Sequence, residues 1–251
     1  MKQILAILFL TILACKAYAW YGVSPYAYCA GDPVNNVDPD GMDVWDINDE
    51  GRIITRQKDT SMDIFYLCKK NDVGEYERVR SYDENGNMSY ISISFDYGTI
   101  ESQRSLSYSP RGEGIDLYDV YQIRGDEQGQ AFFEFMAEIV ANNRIEIGHF
   151  KCGVEGERGL NYVTNSHLKP LYYTTEDGSH HIKSSEPAQS MLLHGQLLYG
   201  YTIREINHSH PNSPIPSAAD LRFHSEIQTI YGSNAPQMNI WNVNTRQYLP
   251  F

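Results

Sequence analysis

Cysteine is scarce in this chain. Four cysteines, at positions 15, 29, 68 and 152, occur in 251 residues, and no two form a Cys-x-x-Cys pair. That spacing gives no disulfide framework. It also excludes a zinc deaminase, which needs His-x-Glu together with Pro-Cys-x-x-Cys. Positive charge is in deficit as well. Lys and Arg number 20 against 32 Asp and Glu, for a net charge of −12. A nucleic-acid partner, which is met by a basic patch, is therefore not expected. Long apolar runs are missing. Ile4–Ala14 is broken only by Thr11, and it is too short to span a bilayer.

That run has another use. Lys2 precedes it and Ala17-Tyr18-Ala19 follows it, which is the form of a signal peptide over residues 1–19. Two processing sites stay open. Ala17-Tyr18-Ala19 fits the small-x-small rule, and Ile12-Leu13-Ala14-Cys15 resembles a lipobox that would leave a lipidated Cys15. The expected location is outside the cytoplasm: secreted, periplasmic or anchored as a lipoprotein. Membrane contact is expected only through the leader or its lipid.

Behind the leader, residues 20–43 are rich in Pro, Gly and Asn and read as turns. In Asp38-Pro39-Asp40-Gly41, Pro fixes φ and Gly permits positive φ. Residues 44–110 read as a β-rich spacer or subdomain. Arg52–Thr55 and Asp63–Leu67 are candidate strands, and Glu84-Asn85-Gly86-Asn87 predicts a hairpin turn. Asp46-x-Asn48-x-Glu50-Gly51 fails as a calcium loop, because its twelfth position is Gln57 rather than Glu, and reads as a turn.

Residues 111–251 alternate helix and strand signals, which predicts an α/β domain. Ala131, Phe132, Phe135, Met136, Ile139 and Val140 give an apolar stripe on a helix over 128–142. A strand over 145–150 follows and carries Glu146. Strands are predicted over 161–167, 172–175 and 180–183, with a helix over 189–199. Strands over 237–243 and 247–251 close the chain. Among the other histidines, His149 has no partner pair of cysteines beside Cys152, His180 and His181 read as solvated, and His194 reads as a packing residue.

The chemistry concentrates at Asn207–Asp220. Tyr201–Ile206 alternates β-branched residues as a strand does, so His208 and His210 point to one side of its end. Pro211 cannot donate to a ladder and stops the strand. Ser217 opens a helix running to Tyr231, with Asp220 in its first turn. Ser217-x-x-Asp220 is also a capping box, and the two uses are compatible. Two imidazoles and a carboxylate suit a catalytic zinc with three protein ligands and one open position. A cysteine peptidase built on Cys152 and His208 would leave that grouping unexplained.

The stretch resembles the JAMM motif of JAB/MPN metallopeptidases, His-[Ser/Thr]-His-Pro followed by Ser-x-x-Asp. The resemblance implies that His208, His210 and Asp220 bind Zn²⁺, that Ser217 steadies an oxyanion, and that an upstream glutamate holds the attacking water. Glu146 matches that glutamate's place, at the start of a strand after the first helix, with Glu155 as the next candidate. It also implies a three-layer JAB/MPN-like (cytidine-deaminase-like) mixed sheet with flanking helices, here behind a β-rich N-terminal region. The activity implied is hydrolysis of peptide or isopeptide bonds, with ubiquitin-like conjugates among the substrates. One departure stands. The loop Pro211–Pro216 has six residues, one fewer than the family usually has. An inactive JAB-fold binding module and a metal-dependent hydrolase of small or cell-wall peptides remain as alternatives. Separately, the tyrosines of 20–28 leading into Asn35-Asn36-Val37-Asp38-Pro39-Asp40-Gly41 resemble the junction before the variable tip of RHS-repeat polymorphic toxins. That implies a toxin domain with a protein or peptide substrate and a cognate immunity protein as partners.

Overall fold

A computed structural model describes residues 43–58, 62–96, 98–108, 116–183, 187–198 and 200–251. The expected leader over 1–19, residues 20–42 of the turn-rich stretch and Cys29 lie outside these residues. Sixteen strands and three α-helices occur among them. The first seven strands are β1 (Asp43–Ile47), β2 (Ile53–Lys58), β3 (Met62–Lys70), β4 (Tyr76–Arg78), β5 (Arg80–Tyr82), β6 (Met88–Tyr90) and β7 (Ser92–Asp96). β8 (Ile100–Tyr108), β9 (Asp116–Arg124), helix α1 (Asp126–Val140), β10 (Ile147–Cys152) and β11 (Leu160–Asn165) follow. Then come β12 (Leu171–Thr174), β13 (His180–Lys183), helix α2 (Pro187–Leu192), β14 (Ile203–His210), helix α3 (Ala218–Tyr231), β15 (Gln237–Asn242) and β16 (Gln247–Pro250).

The larger sheet has seven strands in the order β16-β15-β14-β10-β11-β9-β8. β14 runs parallel to β15 and antiparallel to β10, so the sheet is mixed. Alternate side chains fall on opposite faces. Tyr121, Ile123, Ile147, Val163 and Trp241 pack in one core with the α1 stripe of Phe132, Phe133, Met136 and Val140. Val120, Phe150, Tyr162, Ile206 and Met238 pack in a second core with Leu192, Leu193 and Leu197 around α2, and with Ile227 of α3. The molecule is thus mixed α/β, mostly strand, with helices on both faces of the main sheet. No helix among the described residues is long and apolar enough to cross a membrane.

The smaller sheet joins β2-β1-β3-β4, with β7 also on β3. Its β1–β2 turn is the one read from Asp46–Gly51. Asn48 Oδ1 accepts from the Glu50 and Arg52 amides at 3.0 and 2.8 Å, and Gly51 takes φ 73°. The expected break at 110/111 lies outside the described residues. That break falls between β8 and β9, which pair from Ile100↔Ile123 to Tyr108↔Asp116. Trp45 stacks on Phe65 at 4.3 Å and Phe65 meets Phe132 of α1 at 4.7 Å, so the first core draws on both sides of it. β8 escaped notice because Glu, Ser, Gln and Arg dominate it, as suits a strand at a sheet edge.

Candidate metal centre

β14 is an interior strand, flanked by β10 and β15, so its backbone is held on both sides. Along it His208 and His210 lie on the face covered by α2 and α3, and both are buried, at 4% and 6% exposure. The strand ends at Pro211, whose carbonyl accepts from Asn244 Nδ2 at 3.1 Å. The chain then turns to the start of α3, where Ser217 is the N-cap. Ser217 Oγ accepts from the Asp220 amide at 3.2 Å, and the Ser217 amide donates to Asp220 Oδ2 at 2.6 Å. This capping box fixes the carboxylate at the helix start. Asp220 Oδ1 stands 3.3 Å from His208 Nε2, and Oδ2 stands 3.3 Å from His210 Nε2. The two Nε2 atoms are 3.0 Å apart. The six-residue loop therefore brings Asp220 to both histidines.

Glu146 lies just before β10. Its Oε1 is 4.0 Å from His210 Nε2, and a quarter of its side chain is exposed. Glu155 lies past the far end of β10, about 20 Å along the strand direction, and does not share the site. Cys152 pairs with Ile203, whereas Gly148 pairs with His208, so the thiol also sits at the far end. Burial pushes that thiol up to about 12, which leaves it without thiolate character. Cys68 and Cys152 are both buried and unbridged.

The donor set fits a divalent cation. His208, His210 and Asp220 each offer a ligand atom, and these atoms lie within 4.8 Å of one another. His210 Nδ1 donates to the Ser213 carbonyl at 3.0 Å. A neutral imidazole with its proton on Nδ1 has its lone pair on Nε2, and that nitrogen faces the cluster. Two nitrogens and a carboxylate oxygen are a donor set that zinc takes. The charges agree. Burial pushes the His210 pKa down, but the Asp220 and Glu146 carboxylates outweigh it and leave it raised. Burial pushes Asp220 up, yet its bonds to His208 and His210 hold it well below the usual carboxylate range. With Asp220 ionised beside Glu146, the pocket favours a cation.

No family model and no curated protein matches the chain.

Some parts of the site were not read from the sequence. The Ser213 carbonyl that orients His210 has no residue-type signal, because any residue supplies a carbonyl. The Phe251 ring lies roughly perpendicular to that of His208, with centroids 5.9 Å apart, and also meets His224 of α3 at 5.6 Å. Only the β15–β16 hairpin brings it there. His194 corrects an expectation: it is 40% exposed and faces Glu226 at 3.2 Å rather than packing in the core.

The other face of β14 is polar too. His149 Nε2 meets Asn161 Oδ1 at 2.9 Å, and His149 Nδ1 meets Asn207 Nδ2 at 3.3 Å. Asn207 Nδ2 also donates to Glu205 Oε1 at 2.8 Å, and Asn207 Oδ1 accepts from Asn239 Nδ2 at 2.9 Å. Lys151 Nζ reaches Glu205 Oε2 at 3.2 Å. Asn161 Nδ2 donates to the Gly125 carbonyl at 2.9 Å. His149 also stacks on Phe133 of α1 at 5.0 Å.

Proposed function

We propose that this chain is a zinc-dependent peptidase or isopeptidase of the JAMM type. The observation that carries the reading is the convergence of His208, His210 and Asp220, with Glu146 4.0 Å from His210. His208, His210 and Asp220 hold the metal. Bound zinc supplies Lewis acidity to the scissile carbonyl and lowers the pKa of water toward about 7. Glu146 takes the proton from the attacking water and returns it to the leaving amine. Ser217 Oγ accepts from the Asp220 amide, so its O–H is left to donate to the oxyanion. The Ser213 carbonyl keeps His210 in the liganding tautomer. Helices on both faces of a mixed sheet, with the HxH strand beside the glutamate strand, support a JAB/MPN-like three-layer fold.

The motif at 20–43 and the leader at 1–19 support an exported, RHS-type toxin tip. Its partners are a protein or peptide substrate and a cognate immunity protein.

The test is metal analysis of the purified mature chain, followed by assay against peptide and isopeptide panels. About one equivalent of zinc and amide cleavage that chelation abolishes are expected. Zinc without cleavage of any panel member would make the chain a metal-holding module. Absence of zinc at neutral pH would overturn the reading altogether.

A further inference from the structure

We propose that Ser209, the residue between the two metal-site histidines, is a positioning residue that holds Glu146 at the metal centre. The proposal rests on the peptidase reading above. Ser209 is fully buried, at 0% exposure, although it carries a hydroxyl. That hydroxyl has a partner: Ser209 Oγ accepts the Ile147 N–H at 2.9 Å. The place of this bond gives it meaning. The register of β10 on β14 begins at Gly148↔His208 and runs away from the site toward Cys152↔Ile203. At the end that carries Glu146 and His210, the hydroxyl continues the connection where that register stops.

The Ile147 amide belongs to the same rigid peptide plane as the Glu146 carbonyl. Fixing that N–H fixes one side of the backbone from which the Glu146 side chain leaves. Ile145 and Ile147 are both fully buried and hold this segment in the core. Apolar burial is non-directional, however, and a hydrogen bond has direction. The approach to Glu146 is irregular: a short turn over Ala141–Asn143 ends at Arg144 with φ 56°. The hydroxyl is therefore the directed tie between the strand bearing the ligands and the residue bearing the base. Ser209 sits on the same strand as His208 and His210, so the tie measures Glu146 from the ligands themselves. Threonine could make the same bond, and alanine could not.

Hydrogen exchange and a mutant cycle on the zinc-loaded chain test this. Ser209→Ala should speed exchange of the Ile147 amide by about 10- to 100-fold, the effect of one lost buried acceptor. The His149 and Lys151 amides should be unchanged, as should zinc content. Ser209→Thr should restore Ile147 protection. In peptide hydrolysis, Ser209→Ala should lower kcat by about 10- to 100-fold with KM unchanged, as misplacement of a catalytic group does. In the Glu146→Gln background the same change should cost nothing further. Unchanged Ile147 exchange in Ser209→Ala, or failure of Ser209→Thr to restore it, overturns the tie. A full additional loss on top of Glu146→Gln overturns action through Glu146. If the wild-type chain hydrolyses no amide, the peptidase reading fails, and the exchange arm still decides whether Ser209 holds the Glu146 peptide.

Discussion

Strand β14 carries two polar clusters back to back, and they are built on opposite plans. On the α1 side, donors and acceptors alternate through His149, Asn161, Asn207 and Asn239, each meeting a counterpart. On the α3 side, two Nε2 atoms and two carboxylate oxygens converge, and a cation would satisfy all of them at once. The first plan is complete without a ligand. The second places two imidazole nitrogens 3.0 Å apart around one carboxylate, an arrangement open to a shared cation. Buried polar groups normally find partners within the protein. A largely buried cluster of ligand atoms aimed at one point is therefore a candidate site, and a closed chain of amides is a scaffold. A histidine occurs in each cluster, so residue type alone separates nothing; what faces each ring nitrogen does.

The comparison breaks first at the ligands. His210→Ala should lose zinc, its apparent affinity falling by more than about 100-fold, the scale on which even outer-shell losses act. Hydrolysis should vanish with it. Zinc titration of wild type and variant checks this, and retained stoichiometric zinc would move the centre elsewhere. Glu146→Gln should act differently, keeping zinc and stability while hydrolysis falls by roughly 10²–10⁴. Loss of zinc in this variant would make Glu146 a ligand. Ser217→Gly separates the two uses of that serine. Glycine replaces a serine N-cap at a cost of a few tenths of a kcal/mol. A loss of roughly 10²–10³ in kcat would then belong to the missing oxyanion donor. Activity close to wild type would leave Ser217 with its capping role alone.

The two plans were not equally legible in the sequence. His208, His210, Ser217 and Asp220 lie within fourteen residues. Strand alternation and helix capping are local rules, so the spacing predicted that His208, His210 and Asp220 come together, and they do; the oxyanion role of Ser217 came from the resemblance. Glu146 is distant in sequence, and a resemblance suggested its role; the fold brings it within 4.0 Å of His210. The closed cluster draws on α1, β10, β11, β14 and β15, and no local period joins His149 to Asn161 or Asn239. The same limit applies to Trp45 and Phe65, whose packing against α1 ties the N-terminal strands into the main core. Composition marked residues 44–110 as β-rich and carried no information on what their inner face would meet.

The closed side is open to test by pH. Burial pushes the His149 pKa down to about 4 from an ordinary 6.5, because charging the ring inside the sheet is unfavourable. A second ring proton would also point at the Asn207 amide hydrogens. Between pH 6.5 and 4 the unfolded chain binds this proton and the folded chain does not, so stability falls as pH falls through that window. The full effect is about 3 kcal/mol. Denaturant titrations at several pH values should show that slope, and His149→Gln should flatten it whatever its own stability. An equal slope in the variant would mean that His149 is not held neutral.

The smallest effect expected separates the faces most cleanly. Gly129 is the fourth residue of α1, where alanine in place of glycine would ordinarily stabilise a helix by up to about 1 kcal/mol. Here a Cβ would run into the Asn161 side chain. Asn161 cannot yield cheaply. Its Oδ1 faces His149, and its Nδ2 is committed to the Gly125 carbonyl. Moving it would strand a buried ring nitrogen, whereas staying forces α1 away from the sheet. Gly129→Ala should therefore destabilise by about 1–3 kcal/mol, the usual cost of overpacking. That corresponds to a fall in Tm of about 5 °C for a chain of this size. Zinc affinity should not change, because His208, His210 and Asp220 lie across the sheet. A Tm equal to wild type or higher would show that Asn161 moves freely and the network is not closed. A matching fall in zinc affinity would show that strain crosses β14, and the two clusters would then have to be treated as one.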